Sequence, residues 1–301
     1  MRSQALKTKE IYLEAKGKAT AQWTEMEVRE TNSNQFNYWP EQLRRRTIHY
    51  FGEDEILNER LSLWHESDRG SALSAGLHSF DFRVELAKTA PGNFYHPEAT
   101  VSYNCRAVIV KKDSKKGKES TVQSITEPFR VISLVDLNST PAYALPQIKE
   151  GSNGGLSLTV TLNRSGYMPN RAVPVELNIA NKESLKLGRL EAILEQSLLL
   201  KAQRPRDRKI YKKVEKIEVA RFCKDLELKN KVVYPQNRHI RWELQLPNVP
   251  TNITKGSVIK LGYNLVFKLF PIGSLTVNPV KVTVPMIVAS VPFKKPDHSQ
   301  F

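Results

Sequence analysis

The chain is poor in sulfur and in long apolar runs. It holds two cysteines and four methionines in 301 residues. No stretch approaches the roughly 18 consecutive apolar residues of a membrane-spanning helix, so no such helix is expected. Met1-Arg2-Ser3-Gln4 leads straight into a polar, alternating segment without the apolar centre of a secretory leader, which predicts a chain that is not exported. Cys105 and Cys223 lie far apart in sequence, each among strand-like residues. They make no disulfide framework, and two buried free thiols in a reducing compartment are preferred to a bridge between them.

Catalytic signatures are missing too. The sequence has no Gly-x-Ser-x-Gly elbow, no Gly-rich phosphate loop before Lys-Ser/Thr, no Cys-x-x-Cys and no His-x-x-x-His. The six histidines are scattered; His78 reads as structural or solvent-facing and His96, beside Pro97, as a turn residue. Asp81 and Glu85 share one polar strand face, where solvation is the expected state rather than acid–base work. These absences predict a non-enzymatic protein with no catalytic residue, no cofactor and no metal site.

Positive charge is what the chain has in excess. Lys and Arg number 46 against 31 Asp and Glu, a formal net charge of +15. That balance favours anionic partners: phospholipid headgroups, phosphorylated peptides or nucleic acid. Nucleic acid ranks last, because the basic residues are not interleaved with aromatics and no recognition-helix or zinc motif is present. The densest run carries Lys201, Arg204, Arg206, Arg208, Lys209, Lys212, Lys213 and Lys216 against only Asp207 and Glu215. Pro205 and the surrounding polar residues predict a protruding loop. Such a loop can hold phosphate, since a guanidinium makes bidentate phosphate contacts and each basic residue near an anionic membrane contributes about 1 kcal/mol. The competing reading is a solvated loop that only aids solubility. Arg44-Arg45-Arg46 and the Lys111–Lys118 run are weaker candidates.

Alternation dominates the rest. Ile11, Leu13, Ala15, Gly17, Ala19, Ala21 and Trp23 share one face of a long strand. Residues 30–48 read as a polar hairpin loop, and Ile56–Trp64 as an edge strand. Phe80, Phe82, Val84 and Leu86 alternate with Ser79, Asp81, Arg83 and Glu85. After the corner Ala90-Pro91-Gly92-Asn93, alternation resumes from Ala99 to Val110. A period of two occurs only in extended chain, so these read as two half-buried strands of one sheet. Residues 127–132 read as a further strand. Pro141, Pro146 and Gly151-Ser-Asn-Gly154-Gly155 suggest an interdomain linker. Beyond it, strands are expected at 156–162, 173–179, 214–222, 240–246, 258–270 and 280–291. Ser184–Ala202 is ambiguous: Leu187, Leu190, Leu194 and Leu198 fit a helix, while Leu190, Ala192, Leu194, Leu198 and Leu200 fit a strand. Many short strands and little helix predict two tandem β-sandwiches.

Four segments together resemble the arrestin family, and within it the arrestin-domain-containing proteins or α-arrestins. Ile11–Trp23 is similar to the family strand ending in G-x-A-x-x-x-W. Leu77–Val110, with Gly76 and His78 in place, resembles the L-x-x-G-x-H-x-F-x-F and V-x-Y-x-x-x-A region. Pro128–Ile132 with Asp136-Leu137-Asn138 resembles the close of the N-domain, and Gly166-Tyr167-Met168-Pro169 the opening of the C-domain. The resemblance implies an all-β fold of two tandem arrestin-type immunoglobulin-like β-sandwiches: an N-like domain over residues 1–137, a linker over 138–155, a C-like domain over 156–292 and a short tail over 293–301. It also implies a strand at 190–202.

For function, the resemblance implies a cytoplasmic adaptor at the plasma membrane or endosomes. Its cargo would be membrane-protein tails, phosphorylated ones included, in endocytosis, endosomal sorting or ubiquitination. A retromer-like sorting subunit and a peripheral module binding anionic phospholipids are the alternatives. Three departures from the family accompany it. Two strands that normally precede the one ending at Trp23 are expected to be missing, which leaves a sheet edge unpaired. No Pro-Pro-x-Tyr occurs, so direct recruitment of a ubiquitin ligase is not expected. Gly92–Glu98 replaces the usual Ser-Phe-Glu-Gly-like corner.

Overall fold

A computed structural model describes residues 8–30, 43–69, 73–74, 76–112, 119–226, 237–272 and 278–294. The chain forms two compact units, one of residues 1–131 with Lys201–Tyr211, the other of residues 132–200 with 212–301.

The first unit is built on β1 (Thr8–Glu30), β2 (Leu43–His65), β3 (Phe94–His96), β4 (Ala99–Lys112) and β5 (Glu119–Pro128). The order is β3-β4-β1-β2, with β5 on β4, and β1 is antiparallel to β2 and β4 on its two sides. Ile11, Leu13, Ala15, Ala19, Ala21 and Trp23 are buried, as alternation requires. The expected loop over 30–48 is shorter than the sequence suggested. Residues 43–65 form one unbroken strand, because β1 supplies backbone partners along its whole length. Small residues on β1 let neighbours approach closely. A Cβ on Gly17 would lie 2.4 Å from the Tyr103 ring, and the Tyr103 hydroxyl donates to the Pro91 carbonyl at 2.6 Å.

Two expected strands are not laddered. Residues 77–87 belong to no strand, although Phe80, Val84 and Leu86 are half-buried as their alternation demands. Alternation fixes which side chains face inward, but a strand also needs a neighbour for its N–H and C=O groups. Among the described residues none is hydrogen-bonded to the backbone of this stretch except at Ala87, whose carbonyl accepts from Ala90 N–H. Likewise β5 ends at Pro128; Phe129 N–H donates to the Tyr103 carbonyl at 3.1 Å, and among the described residues Val131 is held by Asn93 alone, whose amide donates to the Val131 carbonyl at 2.9 Å and whose Oδ1 accepts the Val131 N–H at 2.6 Å.

The second unit has two sheets. One orders β11 (Ile210–Asp225), β10 (Leu187–Gln203), β13 (Ile259–Pro271), β14 (Val280–Val288) and β8 (Gly166–Tyr167); the other orders β12 (Asn237–Gln245), β9 (Ala172–Asn181), β7 (Leu156–Leu162) and β6 (Gln147–Asn153). Leu158, Val160, Leu177, Leu194, Leu265 and Phe267 are wholly excluded from water, each worth about 1.5–3 kcal/mol of burial. The Pro- and Gly-rich stretch after Asn138 contains a 3-10 turn at Pro141–Ala144 and then β6.

Within Ser184–Ala202, the residues from Leu187 onward belong to strand β10. It is central, so Leu190, Glu191, Ala192, Ile193 and Leu194 are buried in succession. Burial on both faces erases the period of two, which is why a helix fitted equally well. The two cysteines are free, but the expected burial fails. Cys105 is half-buried and Cys223 exposed, because Cys223 occupies the open face of β11, which pairs only with β10 among the described strands.

Candidate anion-binding site

The basic run forms the turn between β10 and β11, and residues 201–211 pack within the first unit. Its backbone closes on itself. Arg204 N–H donates to the Lys209 carbonyl at 3.2 Å and Arg208 N–H to the Arg204 carbonyl at 3.0 Å. Arg208 sits at φ 56°, a left-handed conformation that a non-glycine residue adopts only where its surroundings require it. Asp207 organises the turn: Oδ1 accepts the Lys209 N–H at 3.0 Å and Oδ2 the Tyr211 hydroxyl at 2.8 Å. The Lys209 amide first, then Tyr211 and the neighbouring cations, hold its carboxyl below the usual carboxylate range.

The base of the turn is anchored on aromatic side chains. β1 alternation places Trp23, Glu25 and Glu27 on one face, and Tyr50 is the register partner of Trp23. Trp23 and Tyr50 stack with centroids 4.9 Å apart, and Tyr211 meets Tyr50 edge-on at 5.2 Å. Trp23 Nε1 and the Tyr50 hydroxyl both donate to the Glu25 carboxylate at 3.1 Å. Burial, then that carboxylate, pushes the Tyr50 phenol upward. In addition, Gln203 pairs with Phe51, and a Cβ on Gly52 would meet the Lys201 carbonyl oxygen at 2.4 Å.

The seven predicted residues therefore divide. Arg204 is turned inward: its side chain is 17 % exposed, hydrogen-bonds to Tyr211 and lies 3.9 Å from Glu27. It clamps the turn. Arg206, Arg208, Lys209 and Lys212 are exposed, and Lys201 and Lys213 are half-buried. Lys216, on the same strand as Lys212, pairs with Glu195 at 3.3 Å in the second unit. Of the weaker candidates, Arg45 and Arg46 are exposed on β2. Positions 113–118 of the lysine-rich run lie outside the described residues, and nothing is assigned there. Sequence reasoning missed Trp23, Tyr50, Tyr211, Glu25 and Glu27. The available signal was the continuation of β1 alternation past Trp23, which carries Glu25 and Glu27 to the same face.

The residues screened for chemistry are placed simply. His96 Nδ1 accepts the Glu98 N–H at 3.2 Å within a turn. His78 Nε2 lies 2.8 Å from the Ser74 carbonyl oxygen, and Asp81 and Glu85 are exposed. Among the described residues, no three His, Cys, Asp or Glu gather as a metal would need, and no helix is long and apolar enough to cross a membrane. What the turn presents is a fixed backbone carrying the exposed cations Arg206, Arg208 and Lys209.

Comparison with known proteins adds a lineage. Residues 2–138 match the family described as arrestin (or S-antigen), N-terminal domain, and residues 152–293 match arrestin (or S-antigen), C-terminal domain. The human arrestin domain-containing protein 4 is 24% identical over 308 residues, covering 97% of this chain and 65% of that protein. The human arrestin domain-containing protein 1 is 31% identical over 159 residues, covering 50% of this chain and 35% of that protein. Its rat counterpart is 27% identical over 250 residues, covering 79% and 51%. The chain thus spans between about a third and two thirds of these relatives' length.

Proposed function

Because the chain belongs to the arrestin-domain family, we propose that it is a non-enzymatic adaptor in membrane-protein trafficking. In this reading it holds cargo tails at the cytoplasmic face of the plasma membrane or endosomes, in endocytosis, sorting or ubiquitination of the cargo. An extended tail is taken by strand addition at an open sheet edge, and its phosphates or the adjoining anionic headgroups are held by the β10–β11 turn.

The observation that carries this reading is the form of that turn. Arg206, Arg208, Lys209 and Lys212 are exposed on a backbone locked by Asp207 and anchored through Tyr211 and Arg204. A merely solubilising loop has no need of a left-handed residue, a hydrogen-bonded carboxylate and an aromatic foot. Preorganised donors lose less entropy on binding than a free loop does.

The test is co-sedimentation of the purified chain with phosphatidylcholine vesicles, with and without phosphoinositide, beside the fourfold variant Arg206→Ala, Arg208→Ala, Lys209→Ala, Lys212→Ala. Arg204 is left in place because it supports the turn. The expected result is phosphoinositide-dependent binding by the wild type, weakened by added salt and lost in the variant. Equal binding by both proteins, or none by either, removes the turn from the mechanism.

A further inference from the structure

The arginine run on β2 leads into a hydroxyl. Arg44-Arg45-Arg46 is followed directly by Thr47 and Ile48, and Arg-Arg-x-Ser/Thr occurs at no other place in the chain. Thr47 is exposed, and its register partner on β1 is Met26. Alternation puts Arg45 and His49, both exposed, on the same side of the hairpin as Thr47. The register sets Thr24, Met26 and Val28 beside them on β1, so these six residues form one surface without a carboxylate. Met26 is 73% exposed and Val28 54%, which leaves that surface open among the described residues. Arg46 and Ile48 belong to the opposite side, where Arg46 is the register partner of Glu27.

We propose that Thr47 is a phosphorylation site for a basophilic protein kinase, one whose substrate groove is lined with carboxylates. Such a groove selects its substrate by charge pattern. It pairs with Arg44 and Arg45, three and two residues before the acceptor, takes the apolar Ile48 just after it, and leaves Arg46 unread. In the transfer, Thr47 Oγ attacks the γ-phosphorus of ATP and forms the new P–O bond. The bond from that phosphorus to the β,γ-bridging oxygen breaks, ADP leaves with that oxygen, and the hydroxyl proton passes to the catalytic aspartate of the kinase. The phosphate brings about −1.5 to −2 of charge and three acceptor oxygens. On β2 it stands between Arg45 and His49, which supply charge-assisted hydrogen bonds, and no carboxylate on this surface repels it. The modification thus turns an apolar and basic surface into one that carries a dianion. Ile48 sets the rate. It is 8% exposed, so the kinase takes it only as the end of the strand lifts from β1, a local opening that costs less than unfolding the unit. The site stands independently of the β10–β11 turn and of the adaptor reading.

The test is incubation of the full chain with magnesium, ATP and the catalytic subunit of cAMP-dependent protein kinase, a basophilic enzyme, with the site mapped by peptide mass spectrometry. The expected result is a phosphate on Thr47, added more slowly than to the free peptide of residues 43–51. Thr47→Ser keeps the modification at this position and Thr47→Ala loses it, whatever is added at Ser114 in the other basic run, Lys111-Lys112-Asp113-Ser114. Arg44→Ala and Arg45→Ala each lower kcat/KM for the kinase by about tenfold or more, the loss expected of one charge-assisted contact. Arg46→Ala barely changes it, which a merely basic surface would not explain. The same substitutions in the free peptide give the same order of effects, so recognition is separated from any change in folding. The proposal is overturned if Thr47 stays unmodified in the folded chain while the peptide is phosphorylated, or if neither is phosphorylated. It is equally overturned if loss of Arg44 and Arg45 together leaves the rate unchanged.

Discussion

Replacing Gly17 by Ala is the sharpest probe of the first unit. Propensity alone predicts a gain, since glycine within a strand costs about 0.5–1 kcal/mol relative to alanine. The packing predicts the opposite. The new methyl would stand 2.4 Å from two carbons of the Tyr103 ring and 3.1 Å from Leu57 Cβ. Tyr103 is 1% exposed, its hydroxyl is fixed on the Pro91 carbonyl at 2.6 Å, and its ring lies 5.7 Å from Phe129. The ring therefore cannot withdraw without giving up both contacts. Overpacking costs about 1–3 kcal/mol, a lost hydrogen bond about 0.5–1.5 and a lost aromatic contact about 0.5–1.5. With partial relaxation and the strand gain deducted, the net loss is about 2–3 kcal/mol, from the same ranges. At about 2–4 °C per kcal/mol for a domain of this size, the melting midpoint of the first unit falls by about 4–12 °C. Thermal unfolding followed by tryptophan fluorescence reads this through Trp23 and Trp64, both nearly buried. An unchanged or raised midpoint would refute the reasoning. The double variant Gly17→Ala/Tyr103→Leu supplies a control: with the ring gone the two losses should fall short of their sum.

Other expectations follow from the same contacts. Glu191 is 3% exposed between Arg189 at 2.9 Å and Arg221 at 3.0 Å. Removing both arginines strands a buried carboxylate and should cost about 3 kcal/mol, whereas Glu191→Leu should be nearly neutral; urea midpoints decide between them. Asp207 is depressed in the folded chain, so its contribution is present above the ordinary aspartate range and is lost as pH falls through its folded value. Below that pH the turn should loosen, seen as a change in Tyr211 aromatic proton shifts that Asp207→Asn reproduces at neutral pH. Tyr103 is pushed up to about 12 by burial, so its contribution is full below about pH 10, the ordinary phenol value, and is lost as pH rises through about 12. Absorbance at the phenolate band should show it ionising only as the first unit unfolds. Arg204→Ala should lower stability while leaving Arg206, Arg208 and Lys209 exposed; loss of vesicle binding without loss of stability would place Arg204 at the anion instead.

The second unit was the more legible from sequence because its sheets satisfy both requirements of a strand. Each alternating run, such as Leu156–Leu162 or Val173–Ile179, has neighbours that complete its ladder, so side-chain period and backbone pairing agree. Leu77–Leu86 shows the two coming apart. Its alternation is as clean as any in the chain, and Phe80, Val84 and Leu86 turn inward accordingly, but hydrogen bonding is a property of neighbours and leaves no periodic trace. β10 failed in the opposite sense. Its pairing with β13 runs along nearly its whole length, but burial of Leu190–Leu194 on both faces removed the alternation, and burial of Glu191 depends on arginines that an isolated segment cannot display.

The basic turn divides along the same line. Its charge was plain from composition, since eight cations face two acids between Lys201 and Lys216. Which of those cations face water was not, because that depends on residues far away in sequence. Arg204 is withdrawn by Glu27 and Tyr211, and Tyr211 is held in turn by Tyr50 and Asp207. Arg206 and Arg208 have the same side chain and nearly the same sequence neighbours, yet remain in solvent. The difference is positional: the turn reverses direction at Pro205–Asp207, so residue 204 faces the aromatic foot while 206 and 208 project from the bend. A charge run therefore marks where cations gather, and the anchoring of Arg204 determines which of them stand in solvent.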